Sequence, residues 1–253
     1  MSSLATAGLV FGCALGASLL AMLVARRLPE HHLSGESKDV VKVGLAVIAT
    51  LTALVLGLLV ASAKGTYDAQ DSAVKQLAAQ FSLLDRFLSH YGPEAKEARE
   101  LLRKVADLTI ERLWPEASPR TGDLTPGAAR EVGDLLYSKL AELRPKTDAQ
   151  RAIKDRSMGL AAELGQTRYR INAQRESSVP LAFLVVLVLW LVTLFAGYGL
   201  LAPRNPTVVA ILTICALSNA AALFLVLELG RPFAGVIQVS SAPLQEALSQ
   251  IGK

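Results

Sequence analysis

The sequence predicts an all-α membrane protein, with four transmembrane helices and a helical-bundle insert between the second and the third. Three observations carry that expectation. Of 253 residues, 52% are hydrophobic and only 19% charged, a balance unlike that of a soluble domain. Four apolar stretches reach the roughly 20 residues a helix needs to cross a bilayer. They are Leu4–Ala25, Val43–Ala63, Pro180–Leu201 and Thr207–Leu229, and only the last contains a charge, Glu228. Between the second and third lies a polar stretch that holds most of the acidic residues. The implied organisation is 1–63 for the first two membrane helices, 64–179 for the polar bundle, 180–230 for the last two, and 231–253 for an amphipathic C-terminal tail.

The first span is read as a membrane helix and not as a cleavable signal peptide. Its start, "MSSLATAG", carries no basic residue, and Arg26-Arg27 follow the apolar run instead of preceding it. Gly8, Gly12 and Gly16 recur at four-residue spacing. Such a face lets helix backbones approach closely where lipid supplies no hydrophobic drive, so tight packing is expected, with pathway lining as the alternative. The following "LPEHHLSGESKD" holds Glu30, His31, His32, Glu36 and Asp39. Adjacent histidines cannot share a helix face and no second ligand pair has metal spacing, so a solvated loop is expected there and no metal site.

The second span carries a stripe of small residues, Ala46, Thr50, Ala53, Gly57 and Ala61, and then Lys64 where the helix leaves the membrane. It is either a packing face or a pore-facing stripe with a basic residue at its mouth, which would attract anions if repeated around a ring. Opposite it, Ile48, Leu51, Val55 and Leu58 pack outward. With the roles reversed, those four form an apolar constriction that gates by dewetting.

Beyond Ala63 the apolar positions Val74, Leu77, Phe81, Leu84, Leu88 and Tyr91 step by three and four, a heptad seam. The second span therefore runs on as one helix to about His90, itself a polar residue at a helix end. Gly92-Pro93 stops it, and a further helix runs from Pro93 to about Trp114 with Ala98, Leu102, Val105 and Leu113 inward. "PEASPRTGDLTPG" is a loop by its density of Pro, Gly, Ser and Asp. Another helix covers about Pro126 to Leu143, with Val132, Leu136 and Leu140 on one face. Thr147 then N-caps a helix through Ile153, Leu160, Leu164 and Ile171, which either continues into the third span or breaks at Ser178 and Pro180.

The fourth span has Asn219 in its middle and Glu228 near its end. An intramembrane amide or carboxylate faces protein or water and not lipid. Glu228 stands where the helix dipole is already negative, so it either pairs with Arg231 on the same face or lines a water-filled path. Pro232 stops the helix. "FAGVIQV" re-enters the membrane or lies along its surface, and Ser241 caps a short amphipathic helix with Leu244, Leu248 and Ile251 on its buried side.

Cys13 and Cys215 lie inside spans and read as small apolar residues. No Ser–His–Asp, Cys–His, paired-acid or phosphate-loop arrangement occurs, so no enzyme and no cofactor are expected. The net charge of +4 forms no basic stripe interleaved with aromatics, so no nucleic-acid partner is expected either.

"LPEHHLSGESKDVVKVGLAVIATLTALVLGLLVASAKGTYD" at 28–68 and "LELGRPFAGVIQVSSAPL" at 227–244 resemble the bacterial bestrophin-like domain family. The resemblance spans both membrane halves, and the insert matches in helical character alone. It implies a homo-oligomeric, pentameric ion channel in the bacterial inner membrane, with lipid, inorganic ions and copies of itself as partners. It further implies that the second membrane helix lines a narrow neck and that the insert is cytoplasmic. Bestrophin necks use large apolar side chains that include phenylalanine, and the second span here offers only Ile, Leu, Val and a threonine. Basic residues do not decide the orientation: Arg26, Arg27, Lys38 and Lys42 flank one side, and Lys64, Arg168, Arg170 and Arg175 the other. The alternative to a channel is a membrane-anchored sensor or scaffold that does not conduct, although a receptor would need an output module and the tail after the fourth span is short.

Overall fold

The computed structural model describes residues 2–29, 35–115, 127–174 and 181–252. Within them every regular element is helical. The chain forms two compact units. The first comprises Met1–Thr66, Ser178–Arg231 and Gly235–Ile237, and the second Tyr67–Ser177, Pro232–Ala234 and Gln238–Lys253. Four helices are long and apolar enough to cross a membrane, so the expected fold class holds.

The first unit contains helices α1 (Ser3–Val24), the leading part of α2 (Gly35–Tyr91), α6 (Leu181–Leu201) and α7 (Pro206–Leu229). Ser2 caps α1, its hydroxyl accepting the Ala5 N–H at 3.3 Å. Asn205 caps α7 by accepting the Val208 N–H at 2.8 Å, and Pro206 supplies the first helical φ. Helix α1 packs on both α6 and α7. Its inward positions, Ser3, Ala7, Val10, Ala14, Ser18 and Met22, recur every three or four residues, as one face of a helix must. Val10, Ala14 and Met22 among them meet Leu187, Leu191 and Phe195 of α6 and Leu212, Ala216 and Leu223 of α7, and Val55, Leu56 and Leu59 of α2 flank the same cluster.

The second unit is built on the remainder of α2, a single turn of 3₁₀ helix at Pro93–Ala95, α3 (Lys96–Leu113), α4 (Ala128–Glu142), α5 (Asp148–Gln174) and α8 (Ala242–Gln250). Helix α2 continues unbroken to Tyr91 because no proline interrupts it, and Gly92 ends it at a φ of 120° that only glycine adopts without strain. The heptad positions Val74, Leu77, Phe81, Leu84, Leu88 and Tyr91 are all buried, as are Ala98, Leu102, Val105 and Leu113 of α3. Thr147 caps α5 as expected, accepting the Gln150 N–H at 3.1 Å. The helix start at Pro126 and the proposed break at Ser178 and Pro180 lie outside the described residues.

The tail departs from the sequence expectation. Phe233, Val239, Leu244 and Ile251 complete the core of the second unit, while Gly235–Ile237 belongs to the first. Phe233 stacks edge-on against Trp114 at a centroid distance of 5.4 Å. Trp114 Nε1 donates to the Val239 carbonyl at 2.9 Å, and the Tyr67 hydroxyl donates to that of Gln238 at 3.2 Å. Helix α8 then packs on α3, with Leu244, Ala247 and Ile251 buried and Leu248 partly so. Val236, in the middle of the "FAGVIQV" run, is 82% exposed. Nor does Ser241 cap α8 through its side chain. Its hydroxyl accepts from Gln245 Nε2 at 3.0 Å, while Ser240 Oγ takes the Ala242 N–H at 3.2 Å.

A half-buried ion pair ties α2 to α3 within this unit. Arg99 grips Asp85 with two parallel bonds, Nε to Oδ1 at 2.7 Å and Nη2 to Oδ2 at 3.0 Å, the bidentate geometry that fixes orientation as well as charge. The Asp85 hydrogen bond raises the Arg99 pKa against the opposing effect of burial.

Candidate functional site

The sequence points to two places in the first unit, the second span and the end of the fourth. In the span, one side of α2 is turned into the protomer: Leu45, Thr52 and Ala63 are buried, and Val55, Leu56 and Leu59 rest on the apolar cluster. The other side is left open. Thr50, Ala53, Gly57, Ala61 and Lys64 are all exposed, together with Ala46. A Cβ built on Gly57 would meet nothing within 4 Å. Thr50 donates its hydroxyl to the Ala46 carbonyl at 2.9 Å, so its polar group is satisfied within its own helix. The alternative apolar set divides. Leu51 and Leu58 face outward, but Ile48 and Val55 are half-buried and turned toward the protomer.

The glycine stripe of α1 faces open space as well. Added Cβ atoms at Gly8, Gly12 and Gly16 would meet no neighbour within 4 Å. The close approach inside the protomer is made elsewhere, at Gly199 of α6. A methyl group there would run into the backbone carbonyl of Ser18 on α1, and one at Gly197 would run into the Leu45 side chain. The "GYG" at 197–199 is a small-residue pair at spacing two, a pattern that a search for four-residue steps passes over.

Glu228 is buried at 4% exposure, and its partners differ from those expected. The Arg231 side chain is exposed, and no ion pair joins it to Glu228 among the described residues. Instead Glu228 Oε2 accepts the backbone N–H groups of Val236 at 2.7 Å and Ile237 at 3.4 Å. The Ser3 hydroxyl lies beside the carboxylate. Ser3 is the first residue of α1, so a charge that the end of its own helix disfavours stands at the favourable end of another. Gly235, at a φ of +94°, brings the chain back so closely that any Cβ there would strike the carboxylate. Glu228 is thus the clamp of the α7 exit turn. Asn219 is satisfied locally, its Nδ2 donating to the Cys215 carbonyl at 2.9 Å.

No group of three or more His, Cys, Asp or Glu residues among the described ones is placed to hold a metal ion. Glu30, His31 and His32 lie outside the described residues.

Comparison with known proteins agrees with this architecture. No curated protein matches the chain. A bacterial bestrophin homologue from Klebsiella pneumoniae, solved as a tryptophan-to-alanine variant, is 15% identical with a TM-score of 0.71, over 99% of this chain and 96% of its own. Another structure of a bestrophin homologue from the same organism, phased on zinc, is 15% identical with a TM-score of 0.65, over 94% of each chain. A structure described as a membrane protein, in a proline-to-alanine variant, gives 13% identity and a TM-score of 0.68, over 95% of this chain and 98% of its own. At these identities the likeness is one of fold. The family model for the bestrophin-like domain matches residues 12–244, most of the sequence, and the chain therefore belongs to the bestrophin-like family.

Proposed function

We propose that this chain assembles with copies of itself, as a pentamer in the bacterial inner membrane, into an ion channel whose pathway runs along the exposed face of α2. The observation that carries this reading is the exposed small-residue stripe of that helix. Thr50, Ala53, Gly57 and Ala61 form an unoccupied apolar-to-polar surface ending at Lys64, while the opposite face packs into the protomer. A transmembrane helix surface of alternating small groups and one hydroxyl suits a lined conduit better than lipid, and a ring of lysines at its mouth would raise the local anion concentration. The half-burial of Ile48 and Val55 favours this stripe over the apolar set as the pathway. The open glycine face of α1 suits close contact between protomers. The insert lies on the cytoplasmic side, on the family resemblance alone.

The test is ion flux from liposomes holding the purified protein, with the mass of the detergent-solubilised complex measured beside it. Flux that depends on the protein and a pentameric mass support the reading. A monodisperse monomer, or a pentamer that passes no ion, would sink it in favour of a scaffold.

A further inference from the structure

The second unit holds a feature that the ion pathway does not use. Helices α2, α3 and α5 leave a cavity of about 10 Å³ lined by Leu77, Thr109, Arg112, Leu113, Arg168, Ile171 and Asn172. That is room for one particle of the size of a water or a halide. Its walls are mostly apolar and buried: Leu77, Leu113 and Ile171 are each at most 2% exposed. Two arginines border it, Arg168 half-buried and Arg112 exposed.

Arg168 is the informative one. It has no ion pair to an acidic residue among the described residues; its Nη2 donates to the Ala129 carbonyl at 2.8 Å. Nη1 lies against the α4 backbone, where a Cβ at Gly133 would stand 3.3 Å from it. Ala129 belongs to the first turn of α4 (Ala128–Glu142), whose dipole is positive and adds to the unfavourable potential. Burial pushes the Arg168 guanidinium down from its usual pKa, the Arg112 charge pushes it further, and Asp134 opposes. An arginine cannot escape by losing its proton at any ordinary pH, so a charge in this position calls for a counter-charge.

We propose that this cavity binds one small monovalent inorganic anion, halide-sized, held by the guanidinium group of Arg168. Asn172 can add a donor, since its Nδ2 has a second proton beyond the one given to the Arg168 carbonyl at 2.9 Å. Thr109 supplies wall and no proton, because its hydroxyl donates to Val105 at 2.6 Å. The apolar walls lower the local dielectric and strengthen the attraction. A water molecule would fit but leave the charge unmet. The site is independent of the conduction reading, since it is defined by binding.

The experiment uses the full chain in detergent, titrated with sodium bromide against sodium gluconate at constant ionic strength while the melting temperature is followed. Bromide should raise it by about 5 °C and saturate, and Arg168→Met should abolish the dependence. In crystals of the wild-type chain soaked in bromide, an anomalous peak should appear within hydrogen-bond distance of the Arg168 guanidinium, a readout that stands even if the variant does not fold. Equal melting in bromide and gluconate, a bromide effect that survives Arg168→Met, or no anomalous peak would each overturn the proposal.

Discussion

Replacing Glu228 with glutamine tests whether the carboxylate clamps a turn or pairs with a side chain. The charged Oε2 accepts one short backbone bond at 2.7 Å and one long one at 3.4 Å, and the Ser3 hydroxyl reaches the same group. Glutamine keeps a single acceptor and turns an NH₂ group toward donors. Hydrogen bonds to charged groups contribute about 1.5–3 kcal/mol each, and a buried donor left unmet costs about 1–3 kcal/mol. With the amide oxygen in the place of Oε2, the backbone bonds lose their charge assistance and the second acceptor is lost, a destabilisation of about 1–3 kcal/mol, or roughly 3–10 °C in melting temperature for a chain of this length. Arg231 is exposed, and Arg231→Met should cost less than about 1 kcal/mol. The assay is thermal unfolding in detergent of wild type, both single variants and the double. Near-additive losses are expected, dominated by Glu228→Gln. Equal single losses with strong coupling would refute the clamp and restore the ion pair.

Gly199→Ala should destabilise the protomer by about 1–3 kcal/mol, because its methyl meets the Ser18 carbonyl and α1 must move off α6. Gly12→Leu should leave the protomer folded and lower the yield of assembled complex, read by mass in detergent. Lys64→Glu should shift the reversal potential under a salt gradient toward cation preference, and an unchanged value with intact conductance removes Lys64 from the pathway. Asp85→Asn, which leaves Arg99 half-buried without its charged partner, should lower the melting temperature more than Asp39→Asn, whose ion pair with Lys42 is exposed. Glu94 accepts from Lys146 Nζ at 2.8 Å, and this bond holds its carboxyl below the ordinary 4.5. A depressed carboxylate contributes stability above its unfolded pKa and loses it as pH falls through the folded one. Lys146→Ala should therefore move the Glu94 titration up toward 4.5, as followed by carboxyl carbon NMR.

The sequence showed the membrane spans almost to the residue because lipid demands one property along a fixed length. Leu4–Ala25 is offset from α1 by one residue at each end, and Thr207–Leu229 starts one residue after α7. The bundle was equally legible where burial follows helical period: the seam positions Val74, Leu77, Phe81, Leu84, Leu88 and Tyr91 are all in the core. Glu228 was singled out correctly as costly, but its partners were not legible. They are backbone amides of Val236 and Ile237, which carry no residue-type signal and are brought near by the φ of Gly235. Arg231, three positions on, was the only partner that spacing could offer. The tail misled for a similar reason: an amphipathic α8 fits a membrane surface and a protein core equally well, and only Trp114 and its contact with Phe233 decide between them. Arg168 gave no warning, since one arginine among several on a polar helix looks solvated until its neighbours are known.

The place of Val239, Leu244 and Ile251 in the core of the second unit bears on how the protein is made. The ribosome delivers α2 through α5 first, then α6 and α7, and only afterwards the residues that close the groove beside Trp114. Until then the Trp114 indole and the apolar face of α3 lack their cover. Domains commonly fold as they emerge, but this unit has to wait, with hydrophobic surface uncovered, while two membrane helices are inserted. A chain stopped before residue 239 would lack the acceptor of the Trp114 indole and leave the core of the second unit unfinished.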